Sequence, residues 1–241
     1  MHRFFISPEC FDRDNVIITG EQVHQLKDVL RLRLGDRIVV LDNNGAEYET
    51  RLVDIKSNQV TGEVIARRLA SGEPRVDITL YQALLKGSSF DVTLQKCTEI
   101  GVARFVPILC ERCVARNPGE SRLDRWQKII VEAAEQSRRG KIPFLEPLIE
   151  FRQVCERVSG ISLLPWEEES NLGIRSAMCE IGKIDHLNIF IGPEGGFTSN
   201  EAEFARLQGI TPVTLGKRLL RAETAGLVTV AAILYEYDEL G

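Results

Sequence analysis

The residue types best suited to chemistry gather near the carboxyl end of the chain. Ile189-Phe-Ile-Gly-Pro-Glu-Gly-Gly-Phe-Thr-Ser-Asn-Glu201 is an apolar run that passes into a glycine-rich turn and then into a helix start. Thr198 followed three positions on by Glu201 is a capping-box pattern, so the turn presents free backbone N–H groups at a helix N-terminus. Gly192, Gly195 and Gly196, with Pro193 and Glu194 among them, lack the Gly-Lys-Ser/Thr ending of a phosphate loop. They also lack the Gly-x-Gly-x-x-Gly spacing of a dinucleotide turn. A plain strand-to-helix turn would use the same glycines.

A second turn follows the next apolar run, in Val213-Thr-Leu-Gly-Lys-Arg-Leu-Leu-Arg-Ala-Glu-Thr-Ala225. Leu219 and Leu220 stand between Arg218 and Arg221, just ahead of a helix whose first turn holds Glu223 and Thr224. Two strand ends with close-approach turns make a crevice at the carboxyl edge of a sheet, where open α/β folds bind ligands. By pattern alone the site is nucleotide-like and its chemistry is open.

Cys110-Glu-Arg-Cys113 has the spacing of half a zinc site. No second pair completes it, and the histidines are His2, His24 and His186, so no metal is expected. Six cysteines in 241 residues lack the density of a disulfide scaffold, and reduced, packed thiols are the expectation. No apolar run approaches the roughly 20 residues that span a bilayer, and the start is too soon charged for a signal peptide. A cytoplasmic protein without a membrane partner is expected. A net charge of −5 argues weakly against a nucleic-acid partner. Its distribution argues otherwise, because Lys27, Arg31, Arg33 and Arg37 face only Asp28 and Asp36 over residues 23–37, and residues 104–141 are basic in balance. A solvated face would explain either cluster equally well.

The elements that must position these residues form two sets, as the length and the 44% hydrophobic content suggest. Over the first 70 residues, short β-like runs (4–6, 16–18, 37–41, 48–53 and 60–66) alternate with turn signals. One helix, near residues 21–30, interrupts them. Residues 70–75 read as a linker. Beyond it, strands at 76–83, 105–109, 161–164, 187–191 and 213–215 alternate with helices at 89–101, 121–137, 151–158, 200–207 and 223–235. Such alternation predicts a parallel α/β sheet with helices on both faces. The expected domains are 1–70, a small β domain, and 76–241, an α/β domain.

Four segments together carry a resemblance that covers the whole chain from Arg3-Phe-Phe onward. They are Ile191-Gly-Pro-Glu-Gly-Gly-Phe197, Leu215-Gly-x-Arg-Leu-Leu-Arg-x-Glu-Thr-Ala225, Leu94-Gln-Lys-x-Thr-Glu-Ile-Gly-Val102 and Glu135-Gln-Ser137. The sequence resembles the RsmE-type ribosomal RNA uridine-N3 methyltransferases of the SPOUT superfamily. The resemblance implies an N-terminal PUA-like β-barrel domain that binds RNA, a C-terminal SPOUT α/β domain with a deep trefoil knot, and a homodimer. Periodicity would not suggest the knot, since true knots are nearly absent from folds.

The activity so implied is S-adenosylmethionine-dependent methylation of N3 of a specific uridine in the 16S ribosomal RNA of the small subunit. The partner is that RNA or the assembled small subunit. The rival activities are methylation of a ribose 2′-O or a guanine ring nitrogen by a SPOUT relative, and a non-catalytic RNA-binding assembly factor. Carried over, the pattern puts the cofactor against Leu164, Pro165, Ile191, Gly192, Pro193, Gly195, Gly196, Leu215, Gly216, Leu219 and Leu220. Leu164, Leu215, Leu219 and Leu220 would give adenine an apolar slot.

Methyl transfer to a uridine nitrogen needs orientation and removal of the N3 proton. Arg221 is the candidate to stabilise the imide anion, and Glu223 or Glu194 the candidate proton acceptor. Glu223 reads equally as a helix-capping acid and Glu194 as a turn-stabilising one. Arg3, Arg31 and Arg33, with Lys86, Arg138 and Arg139, are the phosphate-contact candidates. The chain departs from the family at Ser88-Ser89, where relatives carry charge, and at Arg138, where glycine is usual.

Overall fold

The computed structural model describes residues 1–182 and 184–240. It divides into two compact units. One comprises Met1–Glu73 and Ala134–Ile142, the other Pro74–Ala133 and the chain from Pro143 onward.

The smaller unit is built on six strands: β1 (Arg3–Phe5), β2 (Phe11–Asp12), β3 (Asn15–Thr19), β4 (Arg37–Leu41), β5 (Ala46–Ile55) and β6 (Gln59–Leu69). Their order in the sheet is β1-β4-β5-β6-β3-β2. Only β1 on β4 is parallel; the other pairs are antiparallel. Phe4 and Ile6, from one end of that order, share a core with Val16 and Ile18, from the other end. The sheet therefore curls on itself, helped by two bulges in the β5·β6 pairing, which sharpen the local twist. Helix α1 (Glu21–His24) runs on as a π-helical turn over Gln25–Val29 and drops Val23 and Leu26 into the same core.

The segment 134–142 belongs to this unit too, although its sequence places it amid the larger domain. Arg139 secures it: Nε donates to Glu73 Oε1 at 3.2 Å and Nη2 to Oε2 at 2.6 Å. The N–H groups of Gly140 and Lys141 donate to the same carboxylate. Burial acts to raise the Glu73 carboxyl, but the hydrogen bond and charge of Arg139 and the two N–H groups outweigh it and hold it below its ordinary value.

The larger unit alternates strand and helix. In chain order it runs β7 (Asp77–Ala83), α2 (Ser89–Glu99), β8 (Arg104–Leu109), α3 (Glu120–Gln136), β9 (Phe144–Leu145), β10 (Ile149–Glu150) and α4 (Phe151–Arg157). It continues with β11 (Ser162–Pro165), α5 (Ile174–Ile181), β12 (His186–Ile191), α6 (Ser199–Leu207), β13 (Thr211–Val213) and α7 (Ala222–Glu236). The seven strands form one sheet in the order β10-β8-β7-β12-β11-β13, with β9 also on β8. Every pair is parallel, and the central strand β12 is buried from Leu187 to Ile191, as a strand covered on both faces must be. Helices α2 and α5 each pack on α7, and α4 packs on α6.

Three elements of the larger unit escape the sequence pattern. The two-residue strands β9 and β10 are too short for any periodicity, and α5 follows a polar loop that carries no strand signal. The strand expected at 213–215 lies two residues earlier, at Thr211–Val213, which frees Leu215 for the following turn. Pro212 is accommodated there because β13 is the edge strand.

Candidate functional site

β11 precedes both β12 and β13 in the chain yet lies between them in the sheet. Three adjacent carboxyl ends therefore open on one edge: the segment after Pro165, the glycine turn 192–198 and the turn 214–221. The N–H of Trp166 donates to Val213 O at 3.0 Å and that of Thr214 to Leu172 O at 2.8 Å, which stitches the first segment to the third.

The glycine turn is held from inside. Thr198 caps α6 with the full capping box, Glu201 N–H on its hydroxyl and Thr198 N–H on the Glu201 carboxylate. Gly196 takes φ +69°, and its N–H donates to Pro193 O at 2.9 Å. A Cβ on Gly192 would lie 3.2 Å from the carbonyl carbon of Gly196 and from Phe197 N, so the two arms of the turn touch through that glycine. A Cβ on Gly196 would lie 1.9 Å from Glu167 Oε1, because the Glu167 carboxylate rests on the Gly196 backbone.

These residues fit S-adenosylmethionine. Trp166 Nε1 is buried without a hydrogen-bond partner, a donor for a polar ligand atom. The Glu167 carboxylate is a counter-charge for a cationic group, and the α6 N-terminus is a seat for a carboxylate.

The residues predicted as cofactor contacts come together at this edge, with differing exposure. Leu164, Pro165, Ile191, Gly192 and Pro193 are buried, and Leu215 and Leu220 are half-buried. Leu164 is 0% exposed, so its side chain belongs to the core and it lies beneath the edge rather than on its surface. Gly216, at φ +93°, and Gly195 are exposed. Leu219 is 86% exposed, so no other side chain of this chain covers it.

The candidate catalytic groups differ in the same way. Arg221 is the N-cap residue of α7, its side chain 86% exposed and its Nη1 4.0 Å from Glu223 Oε1. Glu223 is largely covered, with 17% side-chain exposure. Glu194 Oε1 accepts the N–H of Lys86 at 2.7 Å, the turn-stabilising use of that carboxylate, which ties the segment after β7 to the glycine turn.

Among the phosphate candidates, Arg31, Arg33, Lys86 and Arg138 are exposed. Arg3 and Arg139 are corrections. Arg3 pairs with Glu47 at 2.6 Å with its side chain 12% exposed, and Arg139 is 2% exposed in its two-pronged pair with Glu73. Both guanidiniums are engaged by carboxylates and largely withdrawn from solvent, which argues against either as a phosphate contact. Arg138 and Arg139 lie in the smaller unit, not the larger.

Sequence reasoning missed Glu111, Arg112, Trp166 and Glu167. Attention to the Cys110-x-x-Cys113 sulfurs passed over the two residues between them. Both are free thiols that share a hydrogen bond: it holds the Cys113 thiol below its ordinary value, while burial pushes Cys110 well above its own. No group of three metal-ligating side chains occurs among the described residues. A cavity of about 790 Å³ on the larger unit, lined by Tyr81, Arg104, Glu146 and Arg157 among others, contains none of the residues picked out from the sequence.

Comparison with known proteins points one way. The profile of the RNA methyltransferase domain family matches residues 72–234, and that of the RNA methyltransferase PUA domain matches residues 18–65. The ribosomal RNA small subunit methyltransferase E of Synechocystis is 36% identical over 235 residues, covering 96% of this chain and 77% of the relative. The protein of the same name from Bacillus subtilis is 32% identical over 100% of this chain and 98% of its own length. Among solved structures, ribosomal RNA small subunit methyltransferase E from Neisseria gonorrhoeae, bound to S-adenosyl methionine, superposes with a TM-score of 0.87 at 32% identity, covering 98% of each chain.

Proposed function

This chain belongs to the ribosomal RNA small subunit methyltransferase E family, and from that premise we propose that it moves the methyl group of S-adenosylmethionine to N3 of a uridine in small-subunit ribosomal RNA. The observation that carries the reading is the convergence of three strand ends on one edge, with a φ-positive glycine, a capped helix N-terminus and an exposed arginine around it.

The bound cofactor supplies an electrophilic methyl group on a sulfonium. This chain's residues do the rest. The strand end at Leu164 and Pro165 and the turns 191–196 and 215–220 would hold the cofactor, and the Glu167 carboxylate would be the counter-charge for its cationic group. The glycine turn keeps the backbone close enough for main-chain hydrogen bonds to the ligand. N3 of uracil carries a proton that must leave as the methyl arrives, and Glu223, less committed to other bonds than Glu194, accepts it on a carboxylate oxygen. The Arg221 guanidinium then lies against the carbonyl oxygens over which the imide charge spreads. A base within a duplex hides N3, so the target uridine is unstacked or in a loop.

The knotted path and the homodimer belong to the same proposal. Helix α7 is apolar around its circumference, and Val228 and Tyr235 on it, with Leu219 just before it, are exposed. An element of that kind is covered on every side when it functions, and a second copy of the chain would cover it. Arg31, Arg33 and Arg138 of the smaller unit, with Lys86 of the larger, would meet phosphates. The substrate is then the ribosomal RNA or the assembled small subunit, in the cytoplasm.

The test is nucleoside mass spectrometry of small-subunit RNA incubated with the protein and the cofactor. 3-Methyluridine is the expected product. A ribose-methylated nucleoside or a methylguanosine would move the target within the superfamily, and cofactor binding without product would leave an assembly factor.

A further inference from the structure

The Cys110-Glu-Arg-Cys113 turn, which holds no metal set, sits directly against the glycine turn. Its own shape is fixed by two bonds: Cys113 N–H to Cys110 O at 3.1 Å and Cys110 N–H to Cys113 Sγ at 3.3 Å. Both cysteines are buried, and the two residues between them are exposed. Arg112 Nη1 donates to Gly195 O at 2.6 Å and reaches Phe197 O at 3.4 Å. Its methylenes lie against Gly195, where a Cβ would be 3.3 Å from Arg112 Cδ. The Glu111 N–H donates to Glu201 Oε1 at 2.8 Å, and Glu111 Oε2 is 3.3 Å from Thr198 Oγ1.

The carbonyls that Arg112 holds belong to the peptide that enters Gly196 and to the peptide that leaves Phe197. The peptide between Gly195 and Gly196 has its C=O on Arg112 and its N–H on Pro193 O. The peptide between Phe197 and Thr198 has its C=O within reach of Arg112 and its N–H on Glu201 Oε2. Both planes are therefore fixed at both ends. The first of these planes adjoins Gly196, which is in the left-handed region, and would otherwise be easy to rotate, turning donors meant for a ligand into acceptors. One positive charge collecting two carbonyls also offsets the crowding of carbonyl oxygens on the outside of a tight turn.

We propose that Arg112 is a positioning residue for the methyl-transfer reaction: presented by the Cys110–Cys113 turn, it locks the backbone of the cofactor turn in its binding conformation without touching the cofactor. The role rests on the assignment of S-adenosylmethionine to this edge. The chemistry predicts a split between the two substrates. Loss of Arg112 weakens the cofactor, since its seat is no longer preorganised, and leaves the affinity for RNA where it was.

The experiment compares Arg112→Ala, Arg112→Lys and the unsubstituted protein by calorimetric titration with S-adenosylmethionine, by thermal unfolding and by KM for each substrate. Arg112→Ala is expected to raise Kd and KM for S-adenosylmethionine about tenfold or more, the worth of one charge-assisted hydrogen bond, with KM for RNA within twofold. Arg112→Lys should recover part of the loss, because an ammonium reaches one carbonyl but not both. Unchanged cofactor affinity in Arg112→Ala overturns the proposal, and so does a rise in KM for RNA alone, which would make the exposed guanidinium a phosphate contact. If Arg112→Ala unfolds, the Arg112→Lys variant decides by itself: an unaltered cofactor Kd overturns the proposal. Failure of the unsubstituted protein to bind S-adenosylmethionine would instead sink the assignment of the cofactor to this edge.

Discussion

Replacing Arg139 by alanine should destabilise the smaller unit and leave RNA binding intact. The guanidinium is 2% exposed and meets a carboxylate that is 24% exposed. Deleting one partner of a fully buried pair costs about 3–5 kcal/mol, chiefly because the other charge is stranded. Here Glu73 is not stranded: it keeps the N–H groups of Gly140 and Lys141, at 2.9 and 3.2 Å, and a quarter of its surface reaches water. A cost at or just below the bottom of that range, about 2–3 kcal/mol, is the consistent figure. At roughly 2–4 °C per kcal/mol for a chain of this size, Tm should fall by about 5–10 °C. Differential scanning calorimetry reads that fall, and the slope of log K against log salt reads phosphate contacts on the same preparation. An unshifted Tm together with a salt slope smaller by about one unit would refute the structural assignment and return Arg139 to the RNA.

Arg31→Ala, Arg33→Ala and Arg138→Ala should do the reverse, each lowering the salt slope of RNA binding by about one unit with Tm and cofactor affinity unchanged; a slope unaltered by all three places the RNA elsewhere. Gly196→Val should raise the S-adenosylmethionine Kd at least tenfold in a folded chain. The left-handed conformation costs a branched residue about 1–2 kcal/mol, and its Cβ would fall 1.9 Å from Glu167 Oε1; calorimetry showing the ordinary affinity would remove the turn from the site. Arg221→Lys should keep cofactor binding and lose about 10²-fold in single-turnover rate, since an ammonium lacks the planar fork of donors; normal turnover with saturating RNA refutes the catalytic role, and a monomeric product reassigns Arg221 to assembly. The Glu73 carboxyl is held below its ordinary value of 4.5, so its pair stabilises the fold above that value and the contribution is lost as pH falls through the folded pKa. The Tm gap between the unsubstituted protein and Glu73→Gln should therefore close in acid and open toward neutrality, and a gap that widens in acid contradicts this.

Much of the site was legible in the chain itself, because its signals are local. A capping box is a contact over three positions, and Thr198 and Glu201 form it as their spacing demands. The glycine turn follows an apolar strand and precedes a helix, so its place at a carboxyl edge needed no distant information. Strand and helix alternation gave the parallel sheet, since β12 and its neighbours are apolar enough to be covered on both faces.

What tertiary structure alone decided is who stands beside whom. The insertion of β11 between β12 and β13 brings Glu167 to the glycine turn, and no periodicity reports strand order. Arg3, Arg139, Arg31 and Arg138 are the same residue type in similarly basic stretches. The first two are consumed by Glu47 and Glu73, which lie 44 and 66 positions away, and the other two are left in water. Arg112 was invisible for the same reason, its partners at Gly195 and Phe197 being 83 and 85 positions on. A sequence states which side chains carry charge or can donate. Whether a donor is spent inside the fold or kept for a ligand depends on long-range partners, and only the folded chain brings those within hydrogen-bond reach.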